Sequence, residues 1–223
     1  MSAELERDGV LVCERVLSRE TVDQIRRHFD AIESGRAGSR QFALPGSITS
    51  LIGSRGSLGV LATREAGRIA RPVRVLLFDK TPESNWAVPW HQDRTVAVKQ
   101  RFDIDGYGPW SVKGGVVHVE PPVGILEGML TLRVFVDDCS DDNGPLEVIV
   151  GSHRLGRLPG KDMSDVIRRN GVSVGLGRAG DVLVMKTLAV HSSKRAASPS
   201  HRRVLQVDYA TMDLAAPLEW MLN

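Results

Sequence analysis

The sequence predicts a mainly β fold behind a helical N-terminal segment, and three features carry that prediction. From Val73 onward, short runs rich in Val, Ile and Leu recur between clusters of Gly, Pro, Asn and Asp, the pattern of an all-β sandwich or barrel. Before Pro72 the apolar residues fall at helical spacing instead. No repeat, low-complexity tract or linker divides the chain, and 223 residues suit one domain with a sizeable core. The expected organisation is therefore one domain over 1–223, with helical support at 1–72 and a β core at 73–210.

Taken in order, Gly9 to Val16 reads as a short strand. Ser18 is a suitable N-cap for a helix through Ser34, with Val22, Ile25, Phe29 and Ile32 on one side and Gly35 as its stop. Ala37 to Gly53 reads as a loop because of its Gly and Pro content. Leu58, Leu61 and Ile69 suggest a second helix ended by Pro72. Strands are then expected at Val73 to Lys80, Val116 to Val119, Leu130 to Asp138, Leu146 to Ile149, Val172 to Val174, Asp181 to Met185 and Arg203 to Tyr209. Asp141-Asp142-Asn143-Gly144-Pro145 is a turn. Lys161 to Arg169 reads as a helix, and Gly124 to Met129 as a helical turn. Lys99 to Pro122 has little periodicity and reads as a long functional lid or a plain surface loop.

The chemistry concentrates in Val88-Pro89-Trp90-His91-Gln92-Asp93. In extended backbone, residues two apart share a face, so His91 and Asp93 project together while Gln92 turns away. An imidazole and a carboxylate side by side lack one further His to complete the two-His-one-carboxylate arrangement that holds non-haem Fe(II) with open positions. His191, at the end of the apolar run from Asp181 to Val190, is the natural supplier. His28 on the polar face of a helix, His118 in a strand or lid, His153 in a turn and His201 before two arginines fit ligand roles less well.

The ordered set His91-x-Asp93, His191, then Arg202 eleven residues on, resembles the phytanoyl-CoA dioxygenase family of Fe(II)/2-oxoglutarate oxygenases. Leu77-Phe78-Asp79-Lys80-Thr81-Pro82-Glu83, Asn143-Gly144-Pro145-Leu146, Gly151-Ser152-His153-Arg154 and His201-Arg202-Arg203-Val204-Leu205 extend the likeness over roughly residues 70 to 210. Where the family often has Pro before Gly-Ser-His, this chain has Val150. The resemblance implies a double-stranded β-helix, a cupin-like jelly-roll with N-terminal helices packed on it. It implies Fe(II) held by His91, Asp93 and His191, with 2-oxoglutarate and O2 as cosubstrates. The expected reaction hydroxylates an unactivated carbon, releasing succinate and CO2. Related halogenases replace the carboxylate by Gly or Ala, so Asp93 favours hydroxylation, with desaturation or ring chemistry open.

Other residues then acquire roles. The face Arg202, Val204, Gln206, Asp208 is the more polar side of its strand, and a guanidinium holds a carboxylate through two parallel hydrogen bonds. Arg202 therefore suits the distal carboxylate of 2-oxoglutarate, with Arg203 as the fallback. The family pattern adds the Ser193 hydroxyl, and Gln92, between two ligands, is counted with the cosubstrate contacts. Arg133 would bring a second positive charge to cosubstrate or to an anionic substrate, unless it forms a surface ion pair. Trp90 and Trp110, with Trp86, are candidate substrate walls or core residues. Lys80 either faces the site or caps its strand, and Trp220 reads as packing.

Composition bounds the alternatives. The apolar fraction is 42%, the charged fraction 25% and the net charge +2, so no field for nucleic acid is implied. Cys13 and Cys139 fall in no metal-ligand spacing and suit a reducing compartment. An acidic N-terminus without an apolar core argues against a signal peptide, and no run reaches membrane-spanning length. These features predict a soluble, cytoplasmic protein, and the resemblance implies a small-molecule substrate. An acyl-CoA substrate would need a basic surface, of which Arg154, Arg157 and Lys161 offer a thin version. A jelly-roll sensor that binds metal without turnover, or a cupin-type isomerase, are the rivals from other classes.

Overall fold

The computed structural model describes residues 2–31, 39–41, 43–198 and 200–222. The expected helical residues Ile32 to Ser34 and the Gly35 stop lie outside them, as do positions 37, 38 and 42 of the expected loop. A short helix α1 (Ala3–Asp8) leads into strand β1 (Val10–Cys13). Helix α2 (Arg19–Asp30) starts where Ser18 Oγ accepts from the Thr21 amide, satisfying a free donor of its first turn. Strand β2 (Ser39–Gln41), α3 (Gly46–Ile52) and α4 (Ser57–Ala66) complete the N-terminal part.

Then follow β3 (Arg71–Lys80), β4 (Val88–His91), β5 (Val96–Val98), β6 (Trp110–Lys113) and β7 (Val116–Val119). Helix α5 (Val123–Glu127) precedes β8 (Leu130–Phe135) and β9 (Leu146–Ile149). Helix α6 (Met163–Arg169) precedes β10 (Val172–Gly175), β11 (Val182–Lys186), β12 (His191–Ser193) and β13 (Arg202–Ala210).

A six-stranded sheet runs β1-β11-β8-β13-β3-β2, a four-stranded one β10-β9-β12-β4 and a three-stranded one β5-β7-β6. The pairings are antiparallel throughout. This is the double-stranded β-helix that the resemblance implies. Along β3 the side chains alternate. Val75 and Leu77 join a buried cluster with Ile25, Leu58 and Leu61 of the helices, while Arg74, Leu76, Phe78 and Lys80 turn to the cavity between the sheets. Each fully buried aliphatic side chain of that cluster contributes about 1.5–3 kcal/mol, and together they fix the large sheet that carries half of the site.

Four expectations are corrected. The N-terminal part holds an unexpected strand, β2, which with the expected strand β1 forms the two edges of the large sheet. The expected loop contains α3, whose Ile48 and Ile52 are buried one turn apart, and Tyr209 Oη donates to the Ile52 carbonyl at 2.8 Å. Gly and Pro around it mask that short period. Ile69 lies beyond α4, which Gly67 ends in a left-handed cap, and is 80% exposed. The stretch Lys99 to Pro122 is not irregular throughout, since β6 and β7 form a hairpin whose inner side packs against Val98, Leu126 and Trp220.

Candidate metal centre

His191 stands opposite His91 in the β12–β4 pairing, with ring centroids 4.2 Å apart. Asp93 follows β4 by two residues, and both it and His91 line the cavity, as alternation requires. Among the described residues, His91, Asp93 and His191 form a group whose ligand atoms all lie within 4.8 Å of one another. Each His is fixed by the backbone: His91 Nδ1 donates to the Pro89 carbonyl and His191 Nδ1 to the Ala189 carbonyl, both at 2.9 Å. A carbonyl only accepts, so Nδ1 must carry the hydrogen, which leaves the Nε2 lone pair of each ring for a metal.

The charges suit a cation. Burial pushes His191 down to about 4, so it is neutral at ordinary pH. Burial works against the Asp93 carboxylate, but the Arg74 guanidinium, with Nη2 at 3.5 Å, and the neighbouring imidazoles hold its pKa below the usual range. Arg74 is also bonded to Asp208, which Thr131 and Gln206 support from the strand side. Two imidazole Nε2 atoms and one carboxylate are the donor set for a non-haem divalent iron.

Around this group is a cavity of about 390 Å³ between the two larger sheets. Arg202 at the start of β13 is 4% exposed, lines the cavity, and has a buried Nε without a hydrogen-bond partner. Arg203 turns to the helix side, where its guanidinium and amide bond Asp137 at 2.9 Å. The alternation that separates them selects Arg202 as the cavity residue. Arg133 lies over the Phe78 ring at 5.2 Å and bonds Gln206. It lines the cavity and, among the described residues, makes no ion pair.

Lys80 faces the site rather than capping the strand. Its Nζ donates to Ser193 Oγ at 2.8 Å and to the Lys194 carbonyl, and Ser193 Oγ donates to the Gly144 carbonyl at 3.0 Å. Gly144 permits this approach: at φ +72°, a Cβ there would lie 2.5 Å from Lys194 O and 2.7 Å from Lys80 Nζ.

Three expected contacts are absent from the cavity. Gln92 turns into the protein, donating to the Gly156 and Leu188 carbonyls at 2.8 and 2.7 Å and accepting from the Leu158 amide at 2.9 Å. It ties the ligand-bearing segment to the loop before His191. Trp90 is on the opposite side of its strand from the cavity and packs against Ile149, Leu158 and Val190. Trp110 sits with Arg101, 5.4 Å from its ring, and joins the cluster of the small sheet. The aromatic wall is Phe78 and Trp86 instead.

His118 is fully buried, and burial lowers it to about 4; its Nδ1 donates to the Val116 carbonyl, so it belongs to the hairpin. Arg157 is engaged by the Glu120 carboxylate, which further thins the basic surface around Arg154 and Lys161.

Several residues that shape the site have no role in the sequence reading. Ser152 Oγ donates to the Ile149 carbonyl at 2.7 Å and accepts from the Val190 amide at 2.8 Å, so the Gly-Ser-His turn anchors the residue before His191. Arg74 was detectable as a charge inside the apolar run Val73 to Phe78. Arg40 and Lys113, which also line the cavity, come from β2 and from the tip of the β6–β7 hairpin, far apart in sequence.

A family model described as Phytanoyl-CoA dioxygenase (PhyH) matches residues 5–204. L-proline trans-4-hydroxylase of Streptomyces griseoviridis is 25% identical over 242 residues, covering 91% of this chain and 82% of that protein. EctD from S. alaskensis with bound Fe superposes with a TM-score of 0.72 at 20% identity, over 97% of this chain and 80% of that one. The non-heme alpha ketoglutarate dependent carbocyclase SnoK from nogalamycin biosynthesis gives 0.69 at 19%, over 94% and 82%. These two structures share the fold of this chain.

Proposed function

The chain belongs to the phytanoyl-CoA dioxygenase family of Fe(II)/2-oxoglutarate-dependent oxygenases, and on that premise we propose that it hydroxylates an unactivated carbon of a small organic molecule. The observation that carries this reading is the convergence of His91, Asp93 and His191 in one cavity with an uncommitted, buried Arg202. A protein that only stores or senses metal has no use for a desolvated guanidinium beside it. A cupin-type isomerase would call for more His ligands and leave Arg202 without a task.

Fe(II) bound with 2-oxoglutarate and dioxygen supplies the oxidising power for oxygen insertion, with succinate and CO2 as co-products. The residues of the chain prepare the site. His91 and His191 offer Nε2 lone pairs because their Nδ1 hydrogens are committed to the backbone. Arg74 keeps Asp93 ionised and fixes its orientation. Arg202 receives the far carboxylate of 2-oxoglutarate, with Ser193 and Lys80 beside it and Arg133 adding charge. Leu76, Phe78, Trp86, Val88 and Leu146 form the apolar wall that excludes water. We take residues 1–223 as one oxygenase domain on the same grounds.

Hydroxylation is favoured by the retained Asp93 and by the activity named for the proline-hydroxylating relative, while SnoK is named for ring formation on the same fold. An acyl-CoA substrate gains no support from a surface where Arg157 is already paired. Cys13 and Cys139 are free thiols, which fits the cytoplasm, and among the described residues no helix is long and apolar enough to cross a membrane. The test is turnover under 18O2 with a panel of small organic substrates. Substrate-dependent succinate with one 18O atom in the product supports the proposal, and succinate formation with desaturated or cyclised product replaces it with another outcome.

A further inference from the structure

The cavity wall carries more positive charge than metal and cosubstrate use. Arg40, Arg74, Lys80, Lys113, Arg133 and Arg202 line it, and Asp93 is the acidic residue among the lining side chains. Asp208, behind the wall, answers Arg74. A divalent iron and a 2-oxoglutarate dianion cancel one another, so the surplus persists when both are bound.

The surplus is divided between two ends. Lys80 and Arg74 are at opposite ends of the cavity-facing row of β3, about 20 Å apart along the strand. Lys80, Arg202 and Ser193 gather at one end, and Arg40 and Lys113 stand at the other, near Arg74. Arg40 Nη1 lies 3.5 Å from where a Cβ on Gly114 would be, so strand β2 meets the Gly114–Gly115 turn at this point. The Arg40 Nε is buried without a hydrogen-bond partner; among the described residues Arg40 makes no salt bridge, and the one acid that acts on it through space, Asp93, is committed to the metal group. Lys113 Nζ is held by the Thr95 hydroxyl at 2.9 Å, not by an acid. Desolvation and then repulsion from Arg74 lower the pKa of both, against the pull of Asp93, although the Lys113 side chain also reaches solvent. Like charges gathered in this way are relieved by an anion between them.

We infer that Arg40 and Lys113 are the receptor for an anionic group of the substrate, a carboxylate or a phosphate. This deepens the proposed function and rests on it. The guanidinium fork suits two oxygens of one anion, and the ammonium adds a point charge. A cavity of about 390 Å³ shared with the cosubstrate admits a small organic acid.

The test is calorimetry on protein loaded with Fe(II) and saturating 2-oxoglutarate without oxygen. The probes are small carboxylates and phosphate monoesters, each beside its neutral amide or alcohol. The expected result is a preference of about tenfold or more for the acid form. Its loss is expected in Arg40→Gln and Lys113→Gln, with partial rescue in Arg40→Lys and an unchanged 2-oxoglutarate charge-transfer band. A carboxylate preference and a phosphate preference identify different anions. If the parent shows no band but retains the acid preference and its loss in the variants, the oxygenase reading fails and the receptor stands. If acids bind no better than their neutral partners, or bind the variants as tightly as the parent, the receptor is overturned whatever the band shows.

Discussion

Replacing Arg202 by Met separates its role in binding from any role in folding. Arg202 is 4% exposed, its Nε has no hydrogen-bond partner, and burial lowers its pKa, so the charge is costly to the free protein. Methionine removes that cost and keeps most of the side-chain volume, so Tm should stay level or rise. The bound state behaves oppositely. Two charge-assisted bonds to a carboxylate are worth about 1.5–3 kcal/mol each, and the remaining charges of Lys80 and Arg133 offset part of the loss. The expected net penalty of about 3–4 kcal/mol corresponds to a Kd for 2-oxoglutarate weakened by about 100- to 1,000-fold. Anaerobic titration of the Fe(II) protein, with Tm measured in parallel, reads both quantities. Arg203→Met is the control, because Arg203 bonds Asp137 on the helix side; it should lower Tm and leave Kd alone. A folded Arg202→Met protein whose Kd stays within about threefold of the parent would refute the assignment.

Three further outcomes follow from the same contacts. Arg74→Met leaves the buried Asp208 without its counter-charge, so chemical denaturation should show a loss of about 3–5 kcal/mol, and Asp93 should bind metal more weakly. Burial, then Arg202 and Arg133, push Lys80 down to about 8, below its ordinary value of 10.5. Between those pH values the unfolded chain binds more protons, so this residue makes stability rise with pH. The affinity for 2-oxoglutarate should instead fall as pH passes about 8 and Lys80 loses its charge, a limb that Lys80→Met abolishes. Gln92→Leu strips three hydrogen bonds from the Gly156 and Leu188 carbonyls and the Leu158 amide. Thermal unfolding should report about 2–4 kcal/mol lost, and iron affinity should fall with it although the residue does not face the cavity.

The metal triad was legible in the sequence because it depends on local geometry. His91 and Asp93 share a face by strand alternation, and an apolar strand delivers His191. Arg202 was legible from its spacing after His191 in the family resemblance, with strand alternation in support. Residues whose position depends on which strands pair were not. Trp90 was grouped with the site by nearness in sequence, yet the face of its strand puts it against Val190, while Trp86 reaches the cavity. Arg40 and Lys113 meet only because β2 closes one edge of the large sheet and the β6–β7 turn reaches it. Gln92 illustrates the opposite error, in which a residue between two ligands serves the scaffold. The β strands after Val73 were mostly legible in outline, whereas α3 was hidden by the Gly and Pro residues that bound it.

The central claim is that His91, Asp93 and His191 hold Fe(II) in a way that lets 2-oxoglutarate chelate it. Anaerobic titration of the apo-protein with Fe(II) and then 2-oxoglutarate tests it directly, through the visible metal-to-ligand charge-transfer band. The band should appear on addition of the cosubstrate and be lost in Asp93→Ala and His191→Ala. A folded, iron-loaded protein that gives no band with 2-oxoglutarate would contradict the claim.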